Sequence, residues 1–259
     1  MNENYTDINA KTIDKWIEGG WEWGIPISHE EYENAKRGQW GVLLTPTKYV
    51  PKSWFLPFLK DSKFLGVKIL GLASGGGQQM PIFASLGANA TVFDYSDKQL
   101  ESEKMVSTRE GYSINIVKGD MTKRLPFDDE SFDIIFHPVS NCYVEDVYHV
   151  WNECFRVLKP GGILLAGMDN GVNFLFDDTE KLPLILTNKL PYNPLKDEAL
   201  FNKLKESDDG IQFSHTLEEQ IGGQLKAGFI LSSLFEDRDK DVVGEYIPQF
   251  IATRSVKPK

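Results

Sequence analysis

The sequence predicts an α/β domain built around a parallel, doubly wound sheet. From about residue 67 onward, short apolar segments rich in β-branched residues alternate with segments of helical periodicity. Repeated strand and helix units of this kind place their strands side by side in a parallel sheet with helices on both faces. The apolar segments are almost continuously apolar, as expected for strands that are buried on both faces.

Seven segments have the composition of buried strands. Each is short, apolar and bounded by glycine, proline or polar residues. In chain order the predicted strands are residues 67–72, 90–95, 114–119, 132–137, 162–168, 229–235 and 245–255.

The first long helix is predicted after the second strand. Residues 97–111 carry Leu100, Lys104 and Met105 at helical spacing, and Gly111 stands where the helix would end. A glycine at this position ends helices because it adopts the left-handed conformation without strain.

Two further helices are predicted from their end signals. Residues 144–162 have one apolar face and stop where Pro160 and two glycines forbid continuation. A last helix begins near Ser214 or Thr216, either of which can cap its first turn, and ends before Gly228.

Two regions lie outside the alternation, and they define the predicted domains. Residues 1–60 are rich in tryptophan and contain a capping box, Ser28 with Glu31, so we expect an N-terminal cap segment with a short helix. The remainder, residues 61–259, is the expected α/β domain. Its insertion at about 170–213 is of a length that usually forms a lid or a binding segment.

Composition restricts the partners and the compartment. The 259-residue chain has a formal net charge of −10 and no cluster of basic residues, so nucleic acid is not an expected partner. Its N-terminus is polar and its apolar runs are too short to span a membrane. Two cysteines, Cys142 and Cys154, do not make a secreted disulfide framework, so we expect a soluble cytoplasmic protein. No metal site and no particular oligomeric state is predicted.

The stretch "VKILGLASGGGQQ", residues 67–79, carries the first chemical signal. A strand that runs into glycines and then a helix offers free backbone N–H groups and close approach to a nucleotide-like ligand. A dinucleotide fingerprint that starts at Gly75 needs a third glycine at position 80, which is Met80, so a nicotinamide dehydrogenase is the weaker alternative. The stretch resembles motif I of class I S-adenosylmethionine-dependent methyltransferases. Ala73, Gly75 and Gly77 occupy its glycine positions, and Gly71 stands where the family has an acid.

Downstream residues extend the resemblance over about residues 67–168. Asp94 ends the second strand, where a carboxylate can accept both ribose hydroxyls. Asp120 resembles the aspartate that binds the adenine amino group, with Met121 beside the ring. Residues 125–133 and 156–162 resemble segments of the ubiquinone and menaquinone biosynthesis type of methyltransferase.

The resemblance implies the details of fold and cofactor. It implies a Rossmann-like seven-stranded sheet of order 3-2-1-4-5-7-6 with strand 7 antiparallel, and S-adenosylmethionine as the cofactor. Gln78 is expected to meet the amino-acid end of the donor in place of the missing acid. The expected donor-binding residues are Ala73, Ser74, Gly75, Gly77, Gln78, Asp94, Tyr95, Ser96, Asp120, Met121, His137 and Pro138.

The acceptor is expected to be a small molecule. His137 follows the fourth strand at the edge where ligands bind in such sheets, and it is our candidate catalytic residue; the alternative is that it only caps the strand. Trp21, Trp23 and Trp40 flank glycines, and each either packs against the rest of the protein or closes over the donor or acceptor. An alternative function is a donor-binding sensor or partner subunit without turnover. The candidate substrate-binding residues are Trp21, Trp23, His29, Asn141 and Tyr143.

Overall fold

A computed structural model describes residues 4–259 of the protein. These residues form a seven-stranded sheet with helices on both faces. The strand order is β3-β2-β1-β4-β5-β7-β6, so the predicted order is confirmed. The strands are β1 Lys68–Leu72, β2 Asn89–Asp94, β3 Asn115–Lys118, β4 Phe132–His137, β5 Leu158–Asp169, β6 Ile230–Asp237 and β7 Phe250–Val256.

Strand direction changes only at one end of the sheet. β1 pairs in parallel with β2 and with β4, through Gly71 opposite Val92 and Phe136. β7 is antiparallel to both β5 and β6, as predicted. The carboxyl ends of β1, β2, β4 and β5 therefore lie along one edge, where open α/β sheets bind their ligands.

Helices connect the strands at the predicted places. α4 ends at Gly111, which has the left-handed φ of 72° that its position predicts. Thr216 rather than Ser214 caps the last predicted helix, through the backbone N–H of Glu219 (3.2 Å), and the first turn of that helix, Glu218–Gly222, is π-helical. The α-helices are α1 Tyr5–Glu18, α2 His29–Lys36, α3 Gln79–Ser85, α4 Asp97–Glu110, α5 Val147–Val157, α6 Glu198–Ser207, α7 Gly223–Ala227 and α8 Val242–Tyr246.

The residues named at helical spacing in α4 do not all lie on its buried face. Leu100 is buried, but Lys104 and Met105 are exposed, whereas Glu103 and Val106 are buried. Glutamate is seldom fully buried in proteins, so the sequence alone does not identify Glu103 as a buried residue.

Two apolar cores lie on the two faces of the sheet. One contains Ile69 of β1 with α3 and the segment around residues 42–64, and the other contains Leu70 and Leu72 with α5. Trp40 packs against Phe55 and Phe64 of the first core. Of the two interpretations of Trp40, the structure therefore favours packing.

A third cluster joins the N-terminal helix to the insertion. Ile8 of α1 packs against Ile211 and Phe213, and the side chain of Asn9 makes two hydrogen bonds with the backbone of Ile211 (2.7 and 2.9 Å). Trp16 Nε1 donates to the carbonyl of Asp208 (3.0 Å). α1 and the insertion thus form one layer over the carboxyl edge of the sheet. Within residues 4–259, no helix is both long and apolar enough to cross a bilayer.

Candidate active site

A cavity of about 600 Å³ lies at the carboxyl edge of the sheet, beneath α1 and the insertion. It contacts the glycine turn after β1, the ends of β2 and β5, and the segment that follows β3. The predicted site residues that line it are Trp21, Trp23, Ala73, Ser74, Gly75, Gln78, Asp94, Tyr95, Ser96, Asp120, Met121, Pro138 and Tyr143.

Four predicted site residues do not line this cavity. Gly77 packs beneath the turn, near Pro26 and Val106. The other three are His29, His137 and Asn141, whose contacts are described below.

The glycine turn is held by hydrogen bonds on its inner side. Ala73 has a positive φ of 46° and donates its N–H to the carbonyl of Phe93 (2.8 Å). Gly76 donates to the carbonyl of Gln99 (3.1 Å). The expectation of free N–H groups at this turn is wrong for these residues and for Gly75 and Gly77, because each donates within the protein. The turn offers a ligand close approach rather than a set of free donors.

Asp94 connects the turn to β2. Its carboxylate accepts hydrogen bonds from the N–H groups of Gly75 (3.1 Å) and Ser96 (3.0 Å). Burial raises the pKa of this carboxyl, while both N–H groups act to lower it. Because the carboxylate also lines the cavity, it is held in position for a ligand before one binds.

Asp120 and Met121 line the cavity where the chain leaves β3. Asp120 accepts the N–H of Thr122 (2.8 Å) on one oxygen, and Met121 packs partly against the second core. The cavity therefore has one carboxylate after β2, one after β3 and an apolar side chain beside the second.

The side chain of Met80 fills the space beside Gly71, the position where the family pattern has an acid. A Cβ at Gly71 would lie 2.8 Å from Sδ and 2.9 Å from Cγ of Met80, which is fully buried in the first turn of α3. Any side chain at position 71 has to displace that methionine. The packing of Met80 thus explains why this strand carries glycine where the family pattern has a carboxylate.

We expect Gly71→Asp to lower the free energy of unfolding by about 1–3 kcal/mol, because Met80 has to move and a carboxylate is buried. In a Met80→Ala background the same change is expected to cost less, because the steric part of the penalty is absent. Denaturant unfolding of the four proteins of this cycle measures the difference. An equal cost in both backgrounds would contradict the role given to Met80.

The cap layer is hydrogen-bonded to the site. Tyr95 donates its hydroxyl to Asp7 of α1, which raises the pKa of Tyr95 to about 12. Ser96 donates its hydroxyl to Asp14 of the same helix (2.5 Å). Gln78 Nε2 donates to two carbonyls of the cap, those of Glu22 and Ile25 (3.0 and 2.9 Å). That side-chain nitrogen therefore connects the turn to the cap.

His137 lies behind the cavity wall with no exposed surface. Nδ1 is 2.8 Å from the carbonyl oxygen of Leu72, and Nε2 is 2.8 Å from the side-chain amide of Asn141, which in turn contacts Gln220 (2.9 Å). Burial lowers the pKa of His137 and favours the neutral ring. Both ring nitrogens thus face oxygens of the protein, and the neutral ring donates its single N–H to one of them. These contacts favour a positioning role for this histidine at the end of β4.

His29 lies on the outer surface of the cap. Its Nδ1 is 2.8 Å from Glu110 of α4, and the ring is mostly exposed. The neighbouring Ser28 forms the predicted capping box with Glu31. His29 therefore joins α2 to α4 away from the cavity.

Sequence reasoning missed Asp169 and Asn173. Asp169 is the last residue of β5 and lines the cavity, and burial raises the pKa of its carboxyl to about 6. Asn173 follows in the short helix Val172–Leu175 and lines the same cavity. The signal available in the sequence was the position of Asp169 directly after a buried strand.

Comparisons with known proteins agree with this geometry. A family profile described as a methyltransferase domain matches residues 70–166. An uncharacterized methyltransferase of Bacillus subtilis, YbaJ, is 45% identical over 253 residues, which cover 96% of this chain and 97% of that protein. The sterol 24-C-methyltransferase erg6 of Aspergillus fumigatus is 36% identical over 101 residues, only 38% of this chain and 26% of that enzyme.

Solved structures share the fold. An S-adenosylmethionine-dependent methyltransferase from Mesorhizobium loti has a TM-score of 0.58 at 18% identity, over 78% of this chain and 94% of that one. A putative enzyme of the same kind from Listeria monocytogenes has a TM-score of 0.58 at 19% identity, over 78% and 95% of the two chains. At these identities the likeness concerns the fold alone.

Proposed function

Because the chain belongs to the class I S-adenosylmethionine-dependent methyltransferases, we propose that it transfers the methyl group of this donor to a small-molecule acceptor in the cavity under the cap. The single observation that carries the proposal is that the glycine turn, Asp94 and Asp120 line one cavity of about 600 Å³. The net charge of −10 argues against a nucleic-acid acceptor. Cys142 and Cys154 are both free and buried, which supports a cytoplasmic location.

The residues around the turn fit the chemistry of the donor. Asp94 and Asp120 supply carboxylate oxygens for the hydroxyl and amino groups of an adenosyl ligand. Gln99 Oε1 is buried, finds no partner within residues 4–259 and lies beside Gly76. We propose that Gln99 accepts the N–H groups of the donor's ammonium, which a carboxylate at position 71 would otherwise bind.

The chain's own residues position the reaction rather than activate the donor. The donor, when bound, supplies a methyl group that its sulfonium already activates, because a neutral thioether leaves. The protein therefore mainly has to hold the acceptor in line and exclude water. We propose that residues 1–60 and the insertion at about 170–213 act as this cap. α1 and the insertion cover the cavity, and Trp21 and Trp23 line it from the same side.

Substitution of the two aspartates tests the donor site. Asp94→Ala and Asp120→Ala are each expected to weaken the binding of S-adenosylmethionine by about 1–3 kcal/mol, because each removes a polar contact. Isothermal titration calorimetry measures the loss. Asp94→Asn keeps the acceptor for Gly75 N–H but loses the one for Ser96 N–H, so its melting temperature, compared with that of the native protein, shows how much support the turn has lost. Asp128→Ala, an exposed change outside the cavity, is the control.

The same experiment distinguishes the alternatives. Unchanged affinity in both alanine variants would mean that the two carboxylates do not bind the donor. Tight binding of the donor without methyl transfer to any member of a metabolite panel would favour the sensor function. Tighter binding of NAD than of S-adenosylmethionine would favour a dehydrogenase.

A further inference from the structure

Asp169 carries a buried acceptor that the protein leaves unused. Its side chain is 5% exposed, and Oδ1 accepts the N–H of Gly171 (2.9 Å). Oδ2 has no hydrogen-bond partner among the residues that the structure describes. Because a buried carboxylate oxygen without a donor is costly, and because this residue lines the cavity, the oxygen is available to a ligand.

Asn173 provides a second unused acceptor in the same cavity. Its Oδ1 is also buried and unpartnered within residues 4–259. Both atoms are acceptors, so a ligand that satisfies them has to bring N–H or O–H donors. A carboxylate, an ether or a pure hydrocarbon brings none.

These acceptors lie away from the predicted donor site. The sheet order places β5 two strands from β1, whereas β2 and β3, which are followed by Asp94 and Asp120, lie on the other side of β1; Pro138, after β4, is the expected donor contact that lies between. With adjacent strands about 4.8 Å apart, the end of β5 is about 10 Å from the end of β1. Asp169 and Asn173 are therefore on the acceptor side of the cavity.

The charges of the cavity favour a cation. Six aspartates and a single lysine, Lys203, are the charged residues that the described chain contributes to its lining. A carboxylate or phosphate ligand would be repelled by this lining, whereas an ammonium would be attracted. The six aspartates are Asp94, Asp120, Asp169, Asp177, Asp209 and Asp239.

We propose that the methyl acceptor is an amine and that Asp169, together with Asn173, binds its nitrogen through N–H donors. This inference rests on the proposed function, since it names the acceptor class of the same site. His137 was the candidate catalytic residue, but it does not line the cavity. In this proposal Asp169 makes the contact with the reacting nitrogen.

The reaction balances with Asp169 as the proton acceptor. An ammonium has no free electron pair, so one proton first passes from nitrogen to the Asp169 carboxylate. The nitrogen lone pair then forms the new N–C bond, and the C–S bond breaks with its electron pair remaining on sulfur. The products are a methylammonium, S-adenosylhomocysteine and a protonated Asp169, which releases its proton to solvent. Burial brings the pKa of Asp169 to about 6, where it can take and release a proton near neutral pH.

Matched ligand sets test the proposal. Benzylamine, benzyl alcohol and benzoate share one framework, as do dodecylamine, dodecanol and dodecanoate. We expect each amine to bind the protein saturated with S-adenosylhomocysteine at least tenfold more tightly than its carboxylate partner. Asp169→Asn keeps an acceptor for Gly171 N–H but replaces Oδ2 by an amide group, and it is expected to weaken amine binding at least tenfold. The affinity for S-adenosylhomocysteine should stay within twofold. Asp178→Asn, an exposed change outside the cavity, controls for the lost charge.

The outcomes separate this inference from the proposed function. Failure of S-adenosylmethionine and S-adenosylhomocysteine to bind would overturn the proposed function and, with it, the inference. Normal donor binding without a preference for amines, or with no amine bound, would overturn the inference alone. A loss of donor affinity in Asp169→Asn would place Asp169 in the donor site and would also overturn it.

Discussion

Glu103→Gln is expected to make the protein's stability much less dependent on pH between about pH 5 and pH 9. Glu103 has no exposed surface, and its Oε1 accepts the N–H of Gly77 (2.9 Å) while Oε2 has no partner within residues 4–259. Burial, with a smaller contribution from the nearby Asp94, raises the pKa of this carboxyl from 4.5 to about 8, although the N–H of Gly77 acts to lower it.

The sign follows from proton linkage. A raised pKa means that the folded protein holds a proton that the unfolded chain has already lost. The stability that this proton contributes is fully present below pH 4.5 and is lost as the pH rises through about 8. Each pH unit between 4.5 and about 8 costs at most about 1.4 kcal/mol, so the total loss from this group is at most about 5 kcal/mol.

Glutamine isolates the effect because it has the same shape and cannot ionise. Its side-chain oxygen still accepts the N–H of Gly77, so the turn keeps its support. The variant should match the native protein at pH 5 and exceed it in stability at pH 9, as measured by denaturant unfolding across the range. Glu101→Gln, on the exposed face of the same helix and paired with Lys98, is the control. An unchanged slope in Glu103→Gln would show that other groups cause the pH dependence.

The sheet could be predicted because its signals are local. Each strand is a short apolar segment, α4 and α5 begin at capping residues, and parallel order follows from the repeated units. The order of the last two strands came from the resemblance carried by residues 67–168. The resemblance to the ubiquinone and menaquinone subtype remains a prediction.

The site was harder to predict from the sequence than the sheet, because it depends on which polar side chains are buried. Glu103 and Gln99 lie on a helix whose sequence suggests a solvent-facing position for both. Asp169 becomes a candidate only when the insertion and α1 cover it, and this contact joins residues that are far apart in sequence. The N–H groups of the glycine turn were predicted to be free. In the structure, Gly75 N–H donates to Asp94 of β2 and Gly77 N–H donates to Glu103 of α4. No local sequence pattern identifies these two acceptors.

Gly167→Ala is expected to cause the largest loss of stability among single methyl additions in β5. A Cβ at Gly167 would lie 1.9 Å from the carbonyl oxygen of Leu44 and 2.7 Å from its carbonyl carbon. These are backbone atoms, so no side-chain rotation relieves the clash. The segment around Leu44 is also fixed on both sides, because its carbonyl accepts the N–H of Val139 (3.2 Å) and Thr45 donates to the buried Asp237 (2.8 Å).

We expect Gly167→Ala to cost about 3 kcal/mol or more, a decrease of roughly 6–12 °C in melting temperature for a chain of this size. Gly222→Ala is the matched control, since Gly222 has a helical φ of −60° and its nearest neighbour to a new Cβ is 3.7 Å away. That change should be neutral or stabilising. Because Leu43, Leu44 and Thr45 line the cavity, displacing this segment should also weaken donor binding in the folded variant. A melting temperature equal to that of the native protein would contradict the contact between β5 and this segment, on which the shape of the cavity depends.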